Sequence, residues 1–134
     1  MKSTIDLEDE LYAIIKDSPL ATEMDGDIYQ GPDERPDNSR KEDIEIIVID
    51  NQNGEIQRST ISINVYCRDI LRDGKMGRDK PRLRTIESLG LGIFRNAINV
   101  AGYRITLERQ KVYAEHKVKQ HYVNFKLNYR YYNT

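Results

Sequence analysis

Apolar residues recur along this chain at two spacings, helical and alternating, and the switches between them divide it into elements. Leu7, Leu11, Ile14 and Ile15 share one face of a helix that Ser3 or Thr4 can cap. Asp6, Glu8, Asp9 and Glu10 fill its first turns, where carboxylates suit the positive end of the helix dipole. Lys16 lies in the last turn, and Pro19 ends the pattern. An apolar stripe backed by a very acidic opposite face is expected. A short extended piece, Asp27-Ile28-Tyr29-Gln30, follows. Gly31, Pro32 and Pro36 then exclude helix and predict a loop through Ser39.

Residues 43–50 contain the continuous apolar run Ile46-Ile47-Val48-Ile49, which predicts a central strand covered on both faces. Asn51-Gln52-Asn53-Gly54 supplies turn chemistry, with Asn-Gly able to take positive φ. Residues 55–67 then alternate. Ile61, Ile63, Val65 and Cys67 take one face, and Thr60, Ser62, Asn64 and Tyr66 the other, as in a half-buried antiparallel strand. The two strands predict a hairpin. Residues 68–80 read as a charged loop. Asp79 before Pro81 opens a second helix running to about residue 99 on Leu83, Ile86, Leu89, Ile93, Ala97 and Ile98. Gly90 and Gly92 inside it cost about 1 kcal/mol each relative to Ala, which predicts close packing or a kink there. After Ala101-Gly102, strands at residues 103–110 and 118–132 close the pattern. The last places His121, Val123, Phe125, Leu127, Tyr129 and Tyr131 on one face.

The expected fold is α+β, with an antiparallel sheet of about four to five strands and two helices on one face. The expected order is α-β-β-β-α-β-β, and a chain of 134 residues fits one domain, 1–134. No apolar run approaches the roughly 20 residues that cross a bilayer, so no membrane partner is expected. The first residues lack the apolar core of a secretory leader. Cys67 is the only cysteine, which excludes an intrachain disulfide and fits a reducing compartment.

Charge changes the picture more. The net charge of −1 conceals a division between 16 acids and 5 bases in residues 1–55, and 6 acids and 16 bases in residues 56–134. If folding keeps these on separate faces, the acidic face of one copy attracts the basic face of another. That head-to-tail contact closes into a ring wherever the rotation allows.

Catalytic chemistry finds little support. His116 and His121 are five apart, so a strand would put them on opposite faces, and a turn histidine and a sheet histidine are expected. Cys67 sits on the apolar parity of its strand and reads as a small core residue. Gly90-Leu91-Gly92 has Arg at position 95 where a dinucleotide turn needs Gly, and Gly74-Lys75 lacks the rest of a phosphate loop. Asp43, Glu45 and Asp50 are the carboxylates a metal-dependent nuclease would use, with no accompanying lysine at a sensible spacing. No catalytic residue, cofactor or metal ligand is expected. Arg68, Arg72, Lys75, Arg78, Lys80, Arg82 and Arg84 fall within residues 68–84 and could contact phosphates or a protein. Asp69, Asp73 and Asp79 dilute that charge, and no aromatic is interleaved for base stacking.

With its elements placed, the chain resembles the small tail-completion, or tail-terminator, proteins of long-tailed bacteriophages and prophages. The residues that carry the resemblance are an N-terminal helix, the stretch Ile28-Tyr29-Gln30-Gly31-Pro32 and Arg35-Pro36-Asp37-Asn38-Ser39, and Lys41-Glu42-Asp43-Ile44-Glu45-Ile46 leading into a hairpin. A second helix after a charged loop and a closing pair of strands complete it. The resemblance implies a non-enzymatic structural subunit at the head–tail junction. Such a subunit forms a ring, usually a hexamer, that ends the tail tube and meets the head connector. It also implies assembly in the cytoplasm, residence in the virion, and nonspecific contact with DNA in the channel. Arg35, Asp37, Arg68, Arg72, Lys75 and Arg78 are the interface candidates. A nuclease, or a DNA-binding adaptor using residues 68–84, is the alternative.

Overall fold

Ser3 is the residue that starts the fold. In the computed structural model, which describes residues 1–132, it caps α1 (Thr4–Ile15). Its hydroxyl accepts from the Asp6 amide, and the Asp6 carboxylate accepts from the Ser3 amide, so two end groups are satisfied reciprocally. Leu7, Leu11 and Ile15 are sealed in the core. The very acidic opposite face is corrected: Glu8 is only 5% exposed, and Glu10 is engaged by Lys2 and Tyr129. Pro19 opens a one-turn helix, α2 (Pro19–Thr22), because a first-turn position needs no N–H.

The sheet contains β1 (Ile28–Gln30), β2 (Ile44–Gln52), β3 (Ile56–Arg68), β6 (Ile98–Val100), β7 (Tyr103–Glu115) and β8 (Gln120–Tyr132). Its spatial order is β1-β2-β3-β8-β7-β6. Only the β1–β2 pairing is parallel. The expected four to five strands therefore become six and the expected two helices three, with a separate hairpin of β4 (Ile70–Arg72) and β5 (Lys75–Gly77) where a loop was expected. Asp73 and Gly74 at its tip have φ of 52° and 77°, the left-handed pair that an Asp-Gly hairpin turn requires.

The roles expected of the first two long strands are exchanged. β3, paired on both sides, has Ser62, Asn64 and Tyr66 nearly as buried as Ile61, Ile63 and Val65. β2 lies next to the edge. Its Ile44 and Ile46 enter the core, while Ile47 points to the helix-free face and Ile49 is 58% exposed at a β-bulge. Burial of a strand depends on its neighbours in space, which a run of isoleucines does not reveal. The turn between the strands also differs: Asn51 belongs to β2, and Gly54 does not take positive φ.

α3 (Lys80–Phe94) starts as expected, with Asp79 accepting from the Arg82 amide and Pro81 in the first turn. It stops at Phe94, short of residue 99, and Ile98 and Val100 pair with β7 instead. Gly102, at φ 94°, makes that turn. Gly90 is where α3 comes closest to the sheet, since a Cβ there would lie 2.0 Å from the Phe125 ring. The apolar face of the sheet, α1 and α3 close on a single cluster that includes Leu7, Leu11, Ile46, Ile63, Ile86 and Phe125.

Candidate interaction surfaces

The Gly/Pro-rich loop is tied to the sheet through Arg35. Its Nε donates to Asp43 Oδ2 at 2.8 Å, and one terminal nitrogen donates to the Ser39 and Lys41 carbonyls and to Gln120 Oε1. The guanidinium also lies over the Tyr66 ring, 3.6 Å from its centroid. Asp43 is fully buried and further accepts from the Asp27 amide and the Ser39 hydroxyl. A planar five-donor cation suits this position because it satisfies several acceptors while stacking on an aromatic face. With 8% of its side chain exposed, Arg35 has an internal task. Asp37 is exposed, beside a hollow of about 480 Å³ lined also by Tyr66, Glu115 and Lys117.

The other candidates are outward. Arg68 donates to Asp25 Oδ2 and to the Arg40 carbonyl, which joins the end of β3 to the segments before and after β1. Arg72 and Lys75 are exposed on the β4–β5 hairpin, and Arg78 just after it. The structure thus gathers these three on or beside one small exposed hairpin and leaves Arg35 apart from them.

The residues weighed for chemistry have internal partners. Cys67 is 2% exposed, and burial pushes its thiol up to about 12, away from the reactive thiolate. Glu45 accepts from the Tyr66 hydroxyl at 2.7 Å, and burial with that bond pushes the phenol well above its usual range. His121 Nδ1 lies 2.7 Å from Asp69 Oδ1, and His116 sits in a 3₁₀ turn (His116–Val118), as expected of a sheet histidine and a turn histidine.

Charge is divided partially. Arg82 meets Glu42 and Arg68 meets Asp25, and these ion pairs neutralise charge between the two halves of the sequence. Part of what remains follows the sheet order, while Lys16 at the end of α1, Arg58 on β3, Arg130 on β8, Glu87 on α3 and Glu115 on β7 depart from it. Glu8 and Asp9 on α1, Asp27 before β1, and Asp33 and Glu34 after it belong to the β1 end. Arg109 and Lys111 on β7 belong to the other, as do Arg78, Lys80 and Arg84, which together with Glu87 border a hollow of about 290 Å³ beside Val112. Glu8 makes no hydrogen bond among the described residues. Burial raises its pKa, and Asp9 and Glu34 raise it further.

Sequence reasoning missed three features. Gln57 is fully buried and grips Lys2 through both the amide and the carbonyl. Tyr66, Tyr122 and Tyr113 form a row across the helix-free face, with neighbouring centroids 5.2 and 5.5 Å apart. Tyr66 and Tyr122 fall on expected strands, but Tyr113 lies beyond the strand expected at residues 103–110, so the row is legible only once strand extent and register are known. The third is the free edge of β7, which extends five residues beyond the expected strand. The sequence matches no protein-family model and no curated protein.

Proposed function

We propose that this chain is a non-enzymatic structural subunit that assembles head to tail into a ring, as at the head–tail junction of a phage or prophage. One observation carries the reading: Asp9 and Glu34, acids without an ion-pair partner among the described residues, lie at the β1 end of the sheet, and Lys80, Arg84 and Lys111, bases likewise without one, lie at the β7 end. Unlike ends on one subunit favour a heterologous contact, and heterologous contacts generate a closed ring where the rotation closes. A hexamer, docking onto a tail tube and a head connector, is the form the family resemblance suggests.

Light scattering with electron microscopy tests this. At low salt, the protein alone or mixed with tail-tube protein should give rings of several times 15.7 kDa that weaken as salt rises. Replacing Asp9 and Glu34 with Lys should abolish them, and mixing in Lys80→Glu/Arg84→Glu copies should restore them. Persistent monomer under all these conditions overturns the proposal.

The exposed basic hairpin favours a second reading, contact with DNA in the channel. Affinity should then fall with salt, and replacing Arg72, Lys75 and Arg78 should flatten that dependence. The nuclease alternative gains little from Asp43, both of whose oxygens are bound within the protein, or from Glu45, whose Oε1 takes the Tyr66 hydroxyl.

A further inference from the structure

Two edges of the sheet are left partly open, and their steps are complementary. β1 covers β2 only along Ile44–Ile46, leaving residues 47–52 without a strand beside them. β6 covers β7 only from Tyr103 to Ile105, leaving residues 106–115 open. Register across the sheet fixes the relative height of these steps. Tyr29 lies in one row with Glu45, Asn64, Asn124 and Lys111. Ile98 lies in one row with Ile105, Tyr129, Ser59 and Asn51. Hence β1 stands at the height where β7 is open, and β6 at the height where β2 is open.

We propose that β7 of a second copy of this chain pairs antiparallel with β1, while that copy's β6 fills the place beside β2 above it. This rests on the ring reading and names its joint. The strand directions agree with it: β1 runs with β2, β7 runs against β8, and the order between them makes β7 opposite to β1. Residues brought to the same height match in kind. Ile28 meets Val112, both half-buried apolar residues; Tyr29 meets Lys111, a ring and a cation; Gln30 meets Gln110, two amides. On the helix side, Glu8, Asp9 and Glu34 come toward the hollow beside Val112, where Arg78, Lys80 and Arg84 outnumber the one acid, Glu87. Glu8 has no cation partner among the described residues, and this joint brings three cations toward it.

Cysteine cross-linking tests the joint. β1 and β7 of one copy are separated by three strands, about 19 Å at a spacing of roughly 4.8 Å, too far for a disulfide within the chain. Cys67 is sealed and stays unreactive. Under mild oxidation, Tyr29→Cys/Lys111→Cys should give a ladder of covalent multimers. Each single variant alone should give none, and the two single variants mixed should give dimers only. Tyr29→Cys paired with Arg109→Cys, two residues out of register, should cross-link several-fold less. Rings without these cross-links overturn the joint and leave the ring reading standing, as does a covalent dimer of Tyr29→Cys alone. Absence of any assembly removes both.

Discussion

The Tyr129 hydroxyl donates to Glu10 Oε2 across 119 positions of the chain. The bond fastens the first helix to the final strand. Tyr129 is fully buried and stacks on Tyr103 at 5.3 Å between centroids, and Glu10 also takes Lys2 at 2.9 Å. Tyr129→Phe keeps the stacking and removes only the bond to a charged acceptor, so it should cost about 1.5–3 kcal/mol. The midpoint of urea unfolding, with an unchanged slope, is the measurement.

Arg35→Ala should be more severe. Asp43 is fully buried, and removing its cation leaves an uncompensated charge, a loss of about 3–5 kcal/mol. Arg35→Lys should recover only part of this, because an ammonium cannot serve Asp43, two carbonyls and Gln120 together while stacking on Tyr66. Thermal melting gives the stability, and faster proteolysis within residues 31–42 should accompany it.

Two glycines of one helix should respond with opposite sign. Gly90→Ala drives a methyl into the Phe125 ring and should destabilise by about 1–3 kcal/mol. Nothing lies within 4 Å of the corresponding position at Gly92, so Gly92→Ala should stabilise by up to about 1 kcal/mol. Equal effects in denaturant titrations would contradict the packing described.

Glu8→Gln should stabilise the isolated chain at neutral pH. Folding raises the Glu8 pKa above its ordinary value of 4.5, so the folded protein binds the proton more tightly than the unfolded chain. The ionised side chain therefore costs stability above the raised pKa, and that cost disappears as pH falls through it and below 4.5. The melting temperature of the variant should exceed that of the parent at pH 7, and the difference should close by pH 4.

How much of this was legible depended on how local each cause was. The core parity of Ile61, Ile63, Val65 and Cys67 and the start of α3 at Asp79 and Pro81 are written in neighbouring residues and read correctly. Of the close packing or kink expected at Gly90 and Gly92, the structure has close packing at Gly90 and open space at Gly92. The Asp73-Gly74 turn is local too, but its flanking strands are three residues each and show no alternation. β6 was hidden because Ala97 and Ile98 continue the helical spacing of Ile93 by coincidence. The task of Arg35 was beyond reach, since Gln120 is 85 positions away and only the folded sheet brings them together. The exposure of Ile49 was likewise a matter of strand order.

The pairing of β3 with β8 has a consequence for how the chain reaches its native state. Residues 56–68 at the centre of the sheet find their partners only at residues 120–132. Closing so long a segment is entropically costly, and proteins dominated by such distant pairings fold slowly. During synthesis β3 must wait for β8 to emerge, with Ile61, Ile63 and Val65 uncovered on a strand whose one side is unpaired. Chaperone dependence, and aggregation when the chain is made faster than it can fold, are what that waiting period should produce.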